Sequence, residues 1–184
     1  MQHPITCAII ANGYNNRPNG SRTSPPLADR DSIIQRLLSI FKDLFTEIIL
    51  VTGSPLAYLE KDVYMASGLY SEKGLLEGIH AALFYAANPR VLVTYDDTPF
   101  LTAEVIDIVL QYWHVDKEVI MPEIKNGAEP SLMLLHKKSL PLLEKGIARN
   151  DTQIVSLWGK KRIHMIPEHL FRKVDPGLNA FITA

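Results

Sequence analysis

Cys7-Ala8-Ile9-Ile10-Ala11-Asn12-Gly13 is the stretch on which the fold turns. Five apolar residues run without interruption into an asparagine and a glycine, the pattern of a strand buried on both faces that ends in a tight loop. The next segment differs in kind. Asn12 to Asp31 is rich in Asn, Gly, Ser, Pro and Arg, and Pro18, Pro25 and Pro26 forbid a regular helix or a central strand there. A connection of about twenty residues without structure of its own is uncommon inside a compact domain and is usually functional or disordered. Directly after a first buried strand, function is the better reading.

Outward from this loop, short apolar runs alternate with segments of helical period. Further strands are expected at Glu47 to Thr52, Val63 to Ala66, Arg90 to Tyr95, Glu118 to Met121, Ser131 to Leu135 and Arg162 to Ile166. Helices are expected at Ser32 to Phe45, Leu75 to Ala87, Ala103 to His114 and Leu140 to Arg149. In the first helix Ile34, Leu37, Leu38, Phe41 and Phe45 form one apolar stripe behind a Ser32/Gln35 capping box. This alternation predicts an α/β fold, a Rossmann-like three-layer sandwich whose mostly parallel central sheet carries helices on both faces. Right-handed crossovers gather the loops that leave the strands' carboxyl ends on one edge, where ligands bind in such folds. The loops after Ala11, Thr52, Ala66 and Tyr95 are therefore the ones to watch.

Composition narrows the partners. With 184 residues and 47% hydrophobic content, one domain spanning 1–184 is expected. The 19 basic and 20 acidic residues leave a formal net charge of -1, which gives no bulk attraction toward nucleic acid or an anionic membrane. A single cysteine, Cys7, lies inside the first apolar run, so neither a disulfide framework nor a cysteine zinc site is available. No apolar run reaches the roughly 20 residues that span a bilayer, and Met1-Gln2-His3-Pro4 lacks a signal-peptide pattern. A cytoplasmic location is expected. The six histidines are scattered without zinc-ligand spacing, and no serine stands in a G-x-S-x-G nucleophile elbow.

Taken alone, Gly13 and Gly20 serve a phosphate-wrapping loop or ordinary turns. Ala11, Asn12 and Gly13, then Arg17, then Asn19-Gly20, resemble the signature loop L-A-G-G-x-S-x-R-M-G-x-D-K of the molybdenum cofactor guanylyltransferase family. Asn12 replaces a glycine and Pro18 the methionine. The loop's end, where the family carries an aspartate and an essential lysine, reads Arg22 and Thr23. That lysine offsets phosphate charge as the α-phosphorus is attacked. The resemblance makes Arg17 and Arg22 the catalytic cations, with Gly13 and Gly20 allowing close approach.

The likeness extends along most of the chain. Val91 to Phe100 resembles the family's strand ending in D-x-P-(F/Y), which implies that Asp97 holds Mg²⁺, with Asp96 in reserve. Gly74-Leu75-Leu76-Glu77-Gly78 resembles G-P-L-A-G, implying a nucleotide contact at Gly78 and setting an acidic Glu77 in a small-residue position. Thr52-Gly53 stands where the family reads the guanine base, and Ser67 where it has an aspartate. Glu129-Pro130-Ser131 resembles the turn that lines the acceptor pocket. Phe171 to Pro176 resembles F-x-N-I-N-T, making Asp175 a second metal ligand and putting Lys173 at an asparagine position.

The family's activity then implies a nucleotidyltransferase that uses GTP and Mg²⁺ to place GMP on a phosphorylated acceptor such as molybdopterin, among partner proteins of molybdoenzyme maturation. The altered loop leaves two other readings open. One is a nucleotide-binding or partner-binding module without turnover, and the other a transferase for another nucleotide or acceptor.

Overall fold

The run Cys7 to Ala11 is the inner part of β1 (His3–Ala11), and Ile5 through Ala11 are wholly buried. In the computed structural model, which describes residues 3–11, 27–70, 74–151 and 154–183, β1 is flanked on both sides by parallel strands. On one side lies β2 (Phe45–Thr52), and beyond it β3 (Tyr64–Ala66); on the other lies β4 (Arg90–Tyr95). β5 (Val119–Ile124), β6 (Gly127–Ala128), β7 (Met133–His136) and β8 (Ile163–Pro167) complete one eight-stranded sheet, in the order β3-β2-β1-β4-β7-β5, with β6 and β8 both paired to β5. β7 is antiparallel to β4 and to β5, so it runs against the β1–β5 direction while β8 follows it. The expectation of a mostly parallel sheet holds.

Side chains along the central strands alternate between two cores. Ile5, Cys7 and Ile9 of β1 and Leu92 of β4 pack with Leu37 and Phe41 of α1 (Leu27–Leu44) and with Val105 and Val109 of α3 (Ala103–Leu110). Ala8, Ile10, Val91 and Val93 face Leu76 and Ile79 of α2 (Leu75–Tyr85), Leu143 of α4 (Leu140–Ala148) and Trp158 of α5 (Ile154–Arg162). Helices thus cover both faces, and the sandwich has its three layers. A last helical turn, α6 (Glu168–Phe171), seals the first core through Phe171, which is fully buried against Phe181.

Several boundaries depart from expectation. α1 begins at Leu27, so Ser32 lies inside the helix and the Ser32/Gln35 pair is no cap. α3 stops at Leu110, with Tyr112 to His114 in turns. α5 escapes sequence reading because Gly159 interrupts it at φ 61°, a conformation that glycine adopts without steric cost. β6 is only two residues long and closes a hairpin whose turn residues, Lys125 and Asn126, both have positive φ (52° and 62°). That pair of left-handed residues is the type I′ pattern that matches strand twist.

Candidate functional site

β1, β2, β3 and β4 are parallel neighbours, so their carboxyl ends form one edge, with the order reversing between β1 and β4. Such a reversal leaves a crevice where the outgoing loops part to opposite faces of the sheet. Ala11 pairs with Thr52, Ile10 with Tyr95 and Val51 with Ala66, which aligns the expected loops within one residue of each other. Ala11 and Thr52 are fully buried, whereas Gly53 and Ser67 are exposed on the edge. The Ser67 hydroxyl donates to the Thr52 carbonyl at 2.8 Å, and the Ser54 N–H donates to the Thr52 hydroxyl at 3.1 Å. The first bond holds the loop after β3 against the end of β2, and the second tightens the turn after β2 on itself.

The two aspartates after β4 part company. The Asp96 N–H still donates to the Ile10 carbonyl at 3.2 Å, extending the β1 ladder by one residue. Asp96 continues the Leu92–Thr94 face toward α1 and is fully buried, with its Oδ2 3.3 Å from Nη1 of Arg30. A carboxylate so enclosed and paired is no reserve metal ligand; it is a structural charge. Asp97 is only partly buried. The loop that follows is tightly held. Arg36 Nη1 donates to the carbonyls of Pro99 (2.9 Å) and Leu101 (2.7 Å), and Thr98 Oγ1 donates to the Tyr95 carbonyl at 2.8 Å.

Arg30 was not legible as a site residue, although a signal existed. It occupies the next position along the buried α1 stripe of Ile34, Leu37 and Phe41, where spacing alone calls for an apolar side chain. Next to the pair lies Tyr58, from the short 3-10 turn Pro55–Tyr58 after β2. Its hydroxyl is buried without a hydrogen-bond partner among the described residues. Burial first, then the Asp96 charge, raises its pKa above the ordinary phenol value, with Arg30 acting in the opposite direction. Lys61 joins the same turn to α1 by donating to Asp31 Oδ2 (3.0 Å) and Gln35 Oε1 (3.2 Å).

Across the edge, Glu77 answers the question raised by its position. The side chain turns away from open solvent, is 3% exposed, and accepts the Tyr70 N–H at 2.8 Å. It lies under Gly68 so closely that a Cβ there would overlap its carboxylate, which accounts for the glycine. Gly78 is buried in the first turns of α2. Because β7 runs antiparallel, its start reaches the same edge. Thr94 Oγ1 donates to the Ser131 carbonyl (3.1 Å), and Glu129 Oε1 accepts the Ser131 N–H (3.0 Å), which ties the Glu129-Pro130-Ser131 turn to the end of β4.

Asp175 is engaged in its own turn, accepting from Asn179 Nδ2 (3.1 Å) and the Ala180 N–H (2.8 Å). A metal there would compete with these bonds. Lys173 is exposed. Among the described residues no three His, Cys, Asp or Glu side chains gather to hold a metal ion. Mg²⁺ does not require such a cluster, since one carboxylate with phosphate oxygens and water suffices; the partly buried Asp97 at the crevice is chemically suited to that role. Asn12, Gly13, Arg17, Gly20, Arg22 and Thr23 lie outside the described residues. No helix among the described residues is long and apolar enough to cross a membrane.

An open α/β sheet with its crevice between β1 and β4, and an aspartate at the mouth of β4, defines a Rossmann-like ligand-binding fold. The chain belongs to the MobA-like NTP transferase domain family, whose profile matches residues 7–162. It is 29% identical to a molybdenum cofactor guanylyltransferase of Desulfosudis oleivorans, over 96% of this chain and 88% of that protein. A probable molybdenum cofactor guanylyltransferase of Clostridium perfringens is 26% identical over 90% of this chain and 83% of its own length. Among solved structures, molybdopterin-guanine dinucleotide biosynthesis protein A from Archaeoglobus fulgidus superposes with a TM-score of 0.78, covering 98% of this chain and 92% of that one at 18% identity.

Proposed function

We propose that this protein is a guanylyltransferase that moves GMP from GTP to molybdopterin, forming molybdopterin guanine dinucleotide. The observation that carries the reading is the Asp97 carboxylate at the carboxyl end of β4, at the strand-order reversal, in a chain of this family. A phosphate oxygen of the acceptor attacks the α-phosphorus of GTP, the new P–O bond forms as the α–β bridging bond breaks, and pyrophosphate leaves with the electron pair. A bound Mg²⁺ would supply electrostatic stabilisation of the charge that builds on the phosphate oxygens. Asp97 would hold that ion; Asp175 could share it only by giving up its bonds to Asn179 and the Ala180 N–H.

Arg17 and Arg22 offset the remaining negative charge, while Gly13 and Gly20 let the loop backbone approach the phosphates. A gapless count from Ala11 corrects the placement of the family's lysine on Thr23: the signature's last position falls on Arg22, one residue earlier. A cation is therefore retained where the family has lysine, with a planar fork in place of a point charge. Ala11, Asn12, Thr52, Gly53, Ser67 and Gly78 line the nucleotide. Glu129-Pro130-Ser131, tied to the end of β4, faces the acceptor. The protein acts in the cytoplasm, where GTP is plentiful.

The test is calorimetric titration with GTP, CTP and ATP, with and without Mg²⁺, followed by an assay of pyrophosphate release with molybdopterin supplied. Binding of GTP in preference to the others, with release that needs both acceptor and metal, is expected. Binding without release would leave a nucleotide-binding module; preference for CTP would reassign the base. If no triphosphate binds, the nucleotide reading is wrong.

A further inference from the structure

The buried Arg30–Asp96 pair has an unusual position. Asp96 is the residue immediately before Asp97, and Arg30 is the fourth residue of α1. Both side chains are almost wholly buried, at 8% and 0% exposure. Enclosing two charges costs several kcal/mol per ion unless each is well compensated, so a hydrophobic contact on the α1 stripe would serve stability at least as well. Stability alone does not explain the pair.

Its geometry supplies a reason. Asp96 and Asp97 are consecutive residues of the turn that follows β4. Asp96 is drawn inward onto Arg30 of α1 and wholly buried, while Asp97 beside it is left partly exposed at the edge. Loss of the Arg30 contact would free Asp96 and, with it, the turn that carries Asp97. The neighbouring anchors leave the end of β4 few other ways to move: Arg36 holds the carbonyls of Pro99 and Leu101, and Thr98 is bonded back to Tyr95. Tyr58 lies beside the pair, and its buried hydroxyl has no hydrogen-bond partner among the described residues.

We infer that Arg30 is a positioning residue: by holding Asp96 against α1, it sets the direction in which Asp97 presents its carboxylate to the cation of the bound nucleotide. This rests on the reading of Asp97 as the Mg²⁺ ligand. It also couples α1 to the turn after β4 that carries the proposed metal ligand.

The test uses Mn²⁺ in place of Mg²⁺, with free Mn²⁺ read from its electron paramagnetic resonance signal in the presence of GTP. Four proteins are compared at a temperature well below their unfolding midpoints: the unaltered chain, Arg30→Gln, Asp96→Asn and the double variant. Arg30→Gln should weaken Mn²⁺ binding about tenfold, a coupling ordinary for groups that share one ion-pair network. The double variant, with no buried charge left to release, should recover to within about threefold of the unaltered chain. With molybdopterin present, Arg30→Gln should lower kcat while the KM for GTP changes little.

If the unaltered protein binds no Mn²⁺ with GTP, the proposed function and this inference fall together. If it binds, but Arg30→Gln binds equally well and only its unfolding midpoint falls, the inference alone is overturned and the pair is structural. Failure of the double variant to recover has the same meaning. Should Arg30→Gln not fold, Asp96→Glu keeps both charges and shifts the strand end by one methylene; it should weaken Mn²⁺ binding about threefold, and an unchanged affinity would overturn the inference.

Discussion

The sheet has polar clusters at both ends, and they are built differently. At the amino end, polar side chains close the backbone. Glu47, on β2, accepts the Ala87 N–H at 3.0 Å and the Thr6 hydroxyl, while Arg90, opening β4, donates to the carbonyls of Lys117 (2.7 Å) and Val115 (2.5 Å). These groups satisfy main-chain donors and acceptors between elements, the task that buried polar side chains perform in any fold. At the carboxyl end, charge meets charge in Arg30 and Asp96, the Tyr58 hydroxyl has no partner, and Asp97 is partly open. A buried ion pair beside a partly exposed carboxylate at a crevice is a costly arrangement if stability is its only end. Substitutions at the two ends should therefore separate activity from stability.

The largest effect is expected from Asp97→Asn. The change keeps size and hydrogen-bonding shape and removes the charge that holds the cation. Turnover should fall by at least about 100-fold, the scale on which electrostatic stabilisation at phosphorus operates, with an unfolding midpoint close to that of the unaltered chain. Steady-state pyrophosphate release beside a thermal melt measures both. Retention of full turnover would remove Asp97 from the site and erase the contrast between the ends.

Arg90→Ala is the reciprocal case. It strands the carbonyls of Val115 and Lys117 and opens the joint between β4 and the segment entering β5. Chemical denaturation should show a loss of roughly 3 kcal/mol, the range for removing hydrogen bonds from a charged, mostly buried donor. Activity per folded molecule should be unchanged. A large fall in kcat without loss of stability would mean that the amino end, too, serves the reaction.

This division of labour also explains what the sequence disclosed. Parallel strands covered on both faces must be apolar throughout, so β1, β2 and β4 stand out as uninterrupted runs, and the topology places their outgoing loops on one edge. Asp97 was legible because it follows such a run. Arg30 was not, because a charge on an apolar stripe reads as the residue before the helix, and its partner lies 66 positions away. Pairings of that separation have no local signature. The reversed direction of β7 had a local cue in Lys125-Asn126-Gly127, whose turn residues favour a hairpin. Glu77 looked unfavourable beside a phosphate only because its bond to the loop after β3, seven residues back, is a tertiary contact invisible to spacing.

The smallest effect concerns pH and belongs to the far half of the sheet. His164, on β8, stacks against Tyr112 with ring centroids 4.9 Å apart, and its Nε2 is buried without a hydrogen-bond partner. Burial, then the nearby Lys117 charge, lowers its pKa below the ordinary histidine value. His136 is lowered likewise by burial and then by Arg90 and Lys138. As pH falls through the ordinary value of about 6.5, the unfolded chain takes up protons that the folded chain refuses, so stability declines between that value and the lower folded ones. Above it the contribution is constant. His164→Phe keeps the ring against Tyr112 and removes the titration, so its unfolding midpoint should fall less between pH 7.5 and 5.5, by on the order of 2 °C. The variant should leave the pH dependence of GTP binding untouched, because neither histidine is at the carboxyl edge where β1 and β4 part; a change there would show that the two ends of the sheet are not independent.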